Sequence, residues 1–237
     1  MSGSRSPVLR ETIRVARGTL PLLAYHLERL AEGGVPAAQL AEVREAAALE
    51  AARERAGAYK LQVTVEPGGG FRVVASAEPS SLDVPGGPAI VPVAVAALPQ
   101  LPPRAAKPAD RSYWDGPQRL AHLRGGQQAV LVTADGDVVD GGTATVWAVE
   151  DGVLVTPPAP PAVAGVARRA ILRELAPALG LQTEVRPLPL DELEAADEVL
   201  LSNAVGGVVA AAGRGGPIAD RLRDAFGARL EAAGDAG

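Results

Sequence analysis

The chain has 237 residues, 47% apolar and 22% charged, with a formal net charge of −5. That is ordinary for a globular protein large enough to bury one or two cores, and it gives no electrostatic case for nucleic acid or an anionic membrane as partner. No apolar run approaches the roughly 20 residues needed to span a bilayer, and the opening MSGSRSPVLRETIRV lacks the apolar stretch of a secretory signal, so a cytoplasmic location is expected.

The absence of cysteine excludes disulfides, thiolate metal sites and cysteine nucleophiles. Only His26 and His122 are histidine, which argues against a multi-histidine metal centre. Of the 23 basic residues only Lys60 and Lys107 are lysine, so chemistry needing a side-chain amine has two candidates.

In chain order, LRETIRVA (9–16) alternates and is β-branched, as a strand requires. AYHLERLAEGG places Leu27 and Leu30 at helical spacing and stops at Gly33-Gly34. PAAQLAEVREAAALEAARERAG (36–57) reads as a long alanine-rich helix. YKLQVTVE and FRVVASAE, joined by Pro67 and three glycines, form a hairpin, and AIVPVAVA a further strand. Prolines then favour extended backbone, so residues 99–106 are expected to link a lobe of residues 1–98 to a second of 107–237. The second half reads as a helix (about 112–124), the strand AVLVT with a turn at ADGD, and the pair ATVWAVE and VLVTP around Asp151-Gly152. A helix from Gly165 to Gly180, the strand TEVRPLP, the short helix LDELEAA, the buried strand EVLLSN, a glycine-rich stretch and a final helix (about 219–233) follow. Mixed strands and helices in both halves predict two α/β or α+β lobes with a cleft between them.

Lys107 stands at the exit of the linker, where Pro108 keeps it out of helical geometry. Its amine is expected to project from extended backbone near the cleft, and such an amine condenses with a carbonyl once burial or a neighbouring cation lowers its pKa. Taken alone, a loop lysine is more often a solvated charge. Lys60, inside a strand, is read as one.

The motifs ETIRV (11–15), HLERL (26–30), KPADR (107–111), DGDVVD (135–140), LVTPP (154–158), GVARRAIL (165–172) and ADEVLLSN (196–203) together resemble the class IV aminotransferases and aminodeoxychorismate lyases, in order and nearly in spacing. The resemblance runs from about residue 9 to 210. It implies the two-lobed fold type IV, pyridoxal 5'-phosphate held between the lobes, and a homodimer acting on a small-molecule substrate. It also implies roles. Lys107 matches the lysine that bonds the cofactor and moves the proton at the substrate's α-carbon. Arg29 matches an arginine on the cofactor phosphate. Gly165, Val166 and Ala167 match a helix start whose free N–H groups hold that phosphate, as unpaired amides and the helix dipole favour an anion. Ser202 and Asn203 match the polar pair closing the phosphate cup.

Asp140 departs from the pattern. It stands 33 residues after Lys107, where the family has a glutamate beneath the pyridine nitrogen, so it carries the same charge on a stem one methylene shorter. Ala167 stands where a hydroxyl residue is usual, and Thr145 where asparagine is common. Thr12 resembles a position at which lyases carry threonine and branched-chain transaminases glycine. The function implied is conversion of 4-amino-4-deoxychorismate to 4-aminobenzoate and pyruvate. Transamination of an amino acid, and a non-catalytic binding subunit, are the alternatives.

Overall fold

The computed structural model describes residues 7–53, 59–66 and 69–231. The end of the alanine-rich helix (54–57), Pro67 and Gly68 of the hairpin turn, and residues 232–233 lie outside that range. Strand β1 (Leu9–Val15) alternates as expected, burying Leu9, Ile13 and Val15 and turning Arg10, Thr12 and Arg14 to the opposite face. Glu11 falls on the buried side of that alternation, which obliges its carboxylate to find partners. Helix α1 (Leu23–Glu32) lays Leu27 and Leu30 on the same core, and Gly34 ends it with a positive φ. Helix α2 (Ala37–Ala51) buries Val43, Ala47 and Ala51, small side chains spaced four residues apart on one face. Strands β2 (Tyr59–Val65) and β3 (Phe71–Ser76) complete an antiparallel sheet of order β1-β2-β3, with Thr12 opposite Gln62 and Arg14 opposite Lys60.

The chain then forms β4 (Ile90–Ala94), passes through α3 (Ser112–Leu123), and returns as β5 (Gln128–Val132) and β6 (Val138–Gly141). β4 pairs parallel with β5, and β5 antiparallel with β6. This corrects the boundary read at residue 98. β4 precedes the proline-rich stretch, yet its partner is β5, so the chain enters the second body before Ile90. Pro92 is tolerated because β4 is an edge strand with one side unpaired. The stretch 99–106 is not a free tether either. Ala105 and Ala106 are buried, and the Ala105 carbonyl accepts from the Ala164 N–H at 2.9 Å.

A third sheet comprises β7 (Thr145–Glu150), β8 (Val153–Thr156), β9 (Thr183–Val185), β10 (Glu198–Asn203) and β11 (Gly207–Ala210), in the order β11-β10-β7-β8-β9. Between β8 and β9 runs a continuous helical stretch. It comprises α4 (Val166–Ala170), a π-helical turn (Ile171–Leu175) and α5 (Ala176–Ala178), where Pro177 offers no N–H to a regular ladder. Helix α6 (Leu190–Ala195) precedes β10, and α7 (Pro217–Glu231) closes the described chain. One face of this sheet packs Trp147, Val149, Leu154 and Leu200 against Ile171, Leu222 and Phe226. The other packs Val146, Ala148, Val155 and Leu201 against Val130, Val132 and Val138 of the second sheet. With each such side chain stabilising by about 1.5–3 kcal/mol, the two faces form a rigid wall. The expected mixed α/β architecture is borne out.

Candidate active site

The segment after the linker adds to the free edge of β1. Arg10 N–H donates to the Lys107 carbonyl at 3.0 Å, Ala109 N–H donates to the Val8 carbonyl at 2.8 Å, and Pro108 bridges Leu9. Backbone pairing thus fixes Lys107 in the extended conformation read from Pro108. Its amine donates to Thr12 Oγ1 at 3.4 Å. Desolvation first, and the Arg29 guanidinium second, push that amine down to about 7, against the pull of Glu11.

Behind the lysine lies a buried ionic cluster. Arg29, 4% exposed on α1, donates through Nε to Glu11 Oε1 at 2.8 Å and through Nη2 to Glu11 Oε2. Glu11 Oε2 also meets His26 Nδ1 at 2.6 Å. Desolvation alone would raise the Glu11 carboxyl, but the charges and hydrogen bonds of Arg29 and His26 overcome it and hold the carboxyl at about 2. Burial pushes the His26 imidazole down, and its Nε2 has no partner. The Nη1 of Arg29 reaches the carbonyl of Ala164, the residue before Gly165, at 3.0 Å. Through it the first sheet's helix grips the start of α4.

On the far wall Asp140 stands next to last in β6, 7% exposed, accepting from Gly141 N–H at 3.0 Å and Val163 N–H at 3.2 Å. Desolvation outweighs those donors and raises its carboxyl to about 7. Gly165 precedes α4 in extended geometry, so the first N–H groups of that helix lack partners by position. A Cβ at Gly165 would lie 2.7 Å from Thr145 Oγ1, so glycine is required there, and the Thr145 hydroxyl stands beside the helix start. Thr145 is paired directly with Ser202 across β7 and β10. Thus although Ala167 has no hydroxyl, two hydroxyls from the neighbouring strands line the same wall. Ser202 Oγ accepts from Trp147 Nε1 at 2.9 Å, leaving its own proton to donate. Asn203, beside it, also closes the turn between β10 and β11: its Oδ1 accepts from Val205 N–H at 3.0 Å and Gly206 N–H at 2.7 Å.

All nine residues singled out from the sequence, Thr12, Arg29, Lys107, Asp140, Gly165, Val166, Ala167, Ser202 and Asn203, line a single cavity of about 640 Å³ between the first sheet and the other two. The cavity also takes in residues the sequence reading left out. Lys60 is on its wall rather than on a solvated face, paired with Glu78 at 3.4 Å. Arg10, Gln62 and Arg111 join it, and Glu11 anchors it from behind. The signal for Glu11 was present in the alternation of β1, which places a carboxylate among Leu9, Ile13 and Val15. His26, read as a packed helix residue, is packed, borders the cavity, and keeps a buried Nε2 that has no hydrogen-bond partner among the described residues.

A lysine without an ion-pair partner among the described residues, a buried carboxyl across the cavity, and a glycine-led helix start with flanking hydroxyls thus face one another across a single cavity. The family model for class IV amino-transferases matches residues 9–212, and the chain belongs to that family, whose members are pyridoxal-phosphate enzymes. Over 116 residues, 45% of the chain, it is 33% identical to the branched-chain-amino-acid aminotransferases of Salmonella typhimurium and Escherichia coli, a match spanning 37% of their length. The fold superposes on a pyridoxal-phosphate-bound hypothetical aminotransferase from Mycobacterium tuberculosis with a TM-score of 0.81 and 23% identity, covering 95% of this chain and 89% of that one. It superposes on the E. coli branched-chain amino acid aminotransferase with a TM-score of 0.80 and 22% identity, covering 98% and 88%. The fold is therefore the type IV expected from the motifs.

Proposed function

We propose that the chain is a lyase that uses pyridoxal phosphate to split 4-amino-4-deoxychorismate into 4-aminobenzoate and pyruvate. The residues fit the cofactor. Lys107 is the amine that would bond it, and burial, with the Arg29 guanidinium, lowers that amine from its ordinary value to about 7. Asp140 would stand against the ring nitrogen. The helix start at Gly165–Ala167, Arg29, Ser202 and Thr145 would hold the phosphate, while Asn203 shapes the adjoining turn. When bound, the cofactor withdraws electrons from the amine-bearing carbon of the substrate.

The reaction then asks two things of the chain. Lys107 takes the proton from the amine-bearing carbon, and the C–O bond to the enolpyruvyl group breaks. The departing group needs a proton in return. The two products together contain every atom of the substrate, so neither an oxidant nor water is consumed. The observation that carries the lyase reading is the Thr12 hydroxyl, 3.4 Å from the Lys107 amine. It is positioned to steady that amine and to pass a proton to the leaving oxygen, a task amino transfer does not require.

The names of the similar enzymes favour a second reading, transfer of an amino group to a 2-oxo acid. The two are separated by assaying pyruvate release from aminodeoxychorismate against amino transfer to 2-oxo acids. The lyase reading expects pyruvate, and a loss of at least about tenfold in Thr12→Val, roughly 1.4 kcal/mol of barrier. Amino transfer without pyruvate release would overturn it. Homodimer formation, implied by the resemblance, belongs to the same proposal, and sedimentation is expected to give twice the 24.1 kDa of one chain.

A further inference from the structure

The first sheet supplies four residues to the cavity wall, Arg10 and Thr12 from β1 and Lys60 and Gln62 from β2, and all four are polar. Their placement follows from strand geometry. Arg10 and Thr12 share one face of β1 about 7 Å apart, and Thr12 lies opposite Gln62, which shares its face of β2 with Lys60. Because Thr12 touches the Lys107 amine, this arc surrounds the reacting centre at the distance of a substrate's own substituents.

The charges on the arc are poorly compensated. The Arg10 guanidinium makes no hydrogen bond or ion pair among the described residues, and its Nε is buried without a partner. Among the described residues Lys60 pairs with Glu78 alone, at 3.4 Å, and that side chain is 75% exposed. Arg111 completes the arc across the cavity, held by the Gly142 carbonyl at 2.5 Å and by the half-exposed Asp115 at 3.4 Å. Arg10 is half-buried, with Glu78 and Asp115 near enough to act on it but in no ion pair with it, so its guanidinium beside the reacting lysine is open to an incoming anion. A branched aliphatic side chain would leave Arg10 stranded, and on this wall it finds no apolar surface from the first sheet.

We propose that Arg10 and Lys60, with Arg111 behind them, bind a second carboxylate of the substrate and so select dicarboxylate amino compounds over amino acids with apolar side chains. This rests on the reading of the cavity as a pyridoxal-phosphate site and deepens it. Aminodeoxychorismate, with a ring carboxylate and an enolpyruvyl carboxylate, belongs to the selected class.

The test uses holoprotein and two unreactive acids, glutarate and 4-methylpentanoate, titrated by calorimetry while the cofactor's visible band is recorded. Glutarate is expected to bind at least tenfold more tightly. Arg10→Gln and Lys60→Met should each weaken glutarate by about tenfold, leave 4-methylpentanoate unchanged and leave the cofactor band intact. Arg10→Lys, which keeps the charge, should restore most of the preference and shows that loss in Arg10→Gln is not misfolding. Equal affinity for the two acids, or an Arg10→Gln protein with parental preference, would overturn the proposal while the cofactor reading stands. A protein that takes up no cofactor would sink that reading and this proposal with it.

Discussion

Lys107 and Lys60 both reach the cavity, yet their surroundings differ in a way that predicts which one does chemistry. Lys60 keeps an acidic partner in Glu78, whereas Lys107 meets a hydroxyl and the field of Arg29. Lys107→Ala is therefore expected to remove both turnover and the visible cofactor band, and Lys60→Ala to keep the band. Peptide mapping after borohydride reduction should find the pyridoxyl group on Lys107. Finding it on Lys60 would reverse the assignment. Asp140 offers a second residue-level test. Its carboxyl has a folded pKa of about 7, above the ordinary 3.8, so the native state holds its proton more tightly than the unfolded chain does. By linkage, cofactor-free protein loses stability through this group as pH rises from about 4 to 7, and the loss levels off above that range. Asp140→Asn should lack this component of the pH profile in denaturant melts. In the holoprotein the same substitution should lower kcat much more than it weakens cofactor binding, since Asn cannot form the charge-assisted bond to a ring nitrogen. An unchanged kcat would remove the electronic role.

Between β1 and α1, the Glu11–His26–Arg29 cluster gives Arg29 a second task at the scale of elements. A residue that only bound phosphate would be dispensable for folding, but two of the three Arg29 nitrogens hold a 1%-exposed Glu11, so the arginine also neutralises a buried charge. Arg29→Ala and Glu11→Gln are each expected to cost about 3–5 kcal/mol in urea unfolding, the usual penalty for stranding one member of a buried pair. The sign of the pH effect is definite. The Glu11 carboxyl is held at about 2 against an ordinary 4.5, so its contribution is complete above pH 4.5 and is lost as pH falls through about 2. A loss below 1 kcal/mol for Glu11→Gln would show that the cluster is cosmetic. These elements also show what was legible beforehand. β1, α1 and the β2–β3 hairpin announce themselves through period and punctuation, and the motif run names Lys107, Asp140 and Gly165. β6 and β11 were missed because each is four residues long, too short for a period to emerge, and β11 lies in a glycine-rich stretch. The lobe boundary was misplaced because composition shows where prolines are but not that β4 pairs with β5. Lys60 reads as a solvated strand charge because its face of β2 becomes a cavity wall only once the other sheets stand opposite.

At the scale of the molecule, the cavity is where the two bodies meet, and the residues that would hold the cofactor come from both. Lys107 and Thr12 are tied to β1 and Arg29 belongs to α1, while Asp140, Gly165, Thr145 and Ser202 belong to the second and third sheets. Direct ties already cross this boundary, from Arg29 to the Ala164 carbonyl and from Arg14 to the Val205 carbonyl at 2.7 Å. A ligand contacting both sides adds to those ties and binds the folded form alone, so it must stabilise the whole chain by mass action. At a free cofactor concentration of 100 Kd that linkage amounts to about 2.7 kcal/mol. For a chain of this size each kcal/mol moves the midpoint by about 2–4 °C, so pyridoxal phosphate is expected to raise Tm by roughly 5–11 °C. The rise should occur in one transition, because bodies clamped by one ligand unfold together. Lys107→Ala should retain part of the shift through the phosphate and ring-nitrogen contacts. Gly165→Val should lose most of it, since its side chain would collide with Thr145 at the helix start. Calorimetric scans with and without cofactor decide the matter. Two transitions of which only one moves with pyridoxal phosphate would show that the ligand is held by a single body and that the cavity between the sheets is not its site.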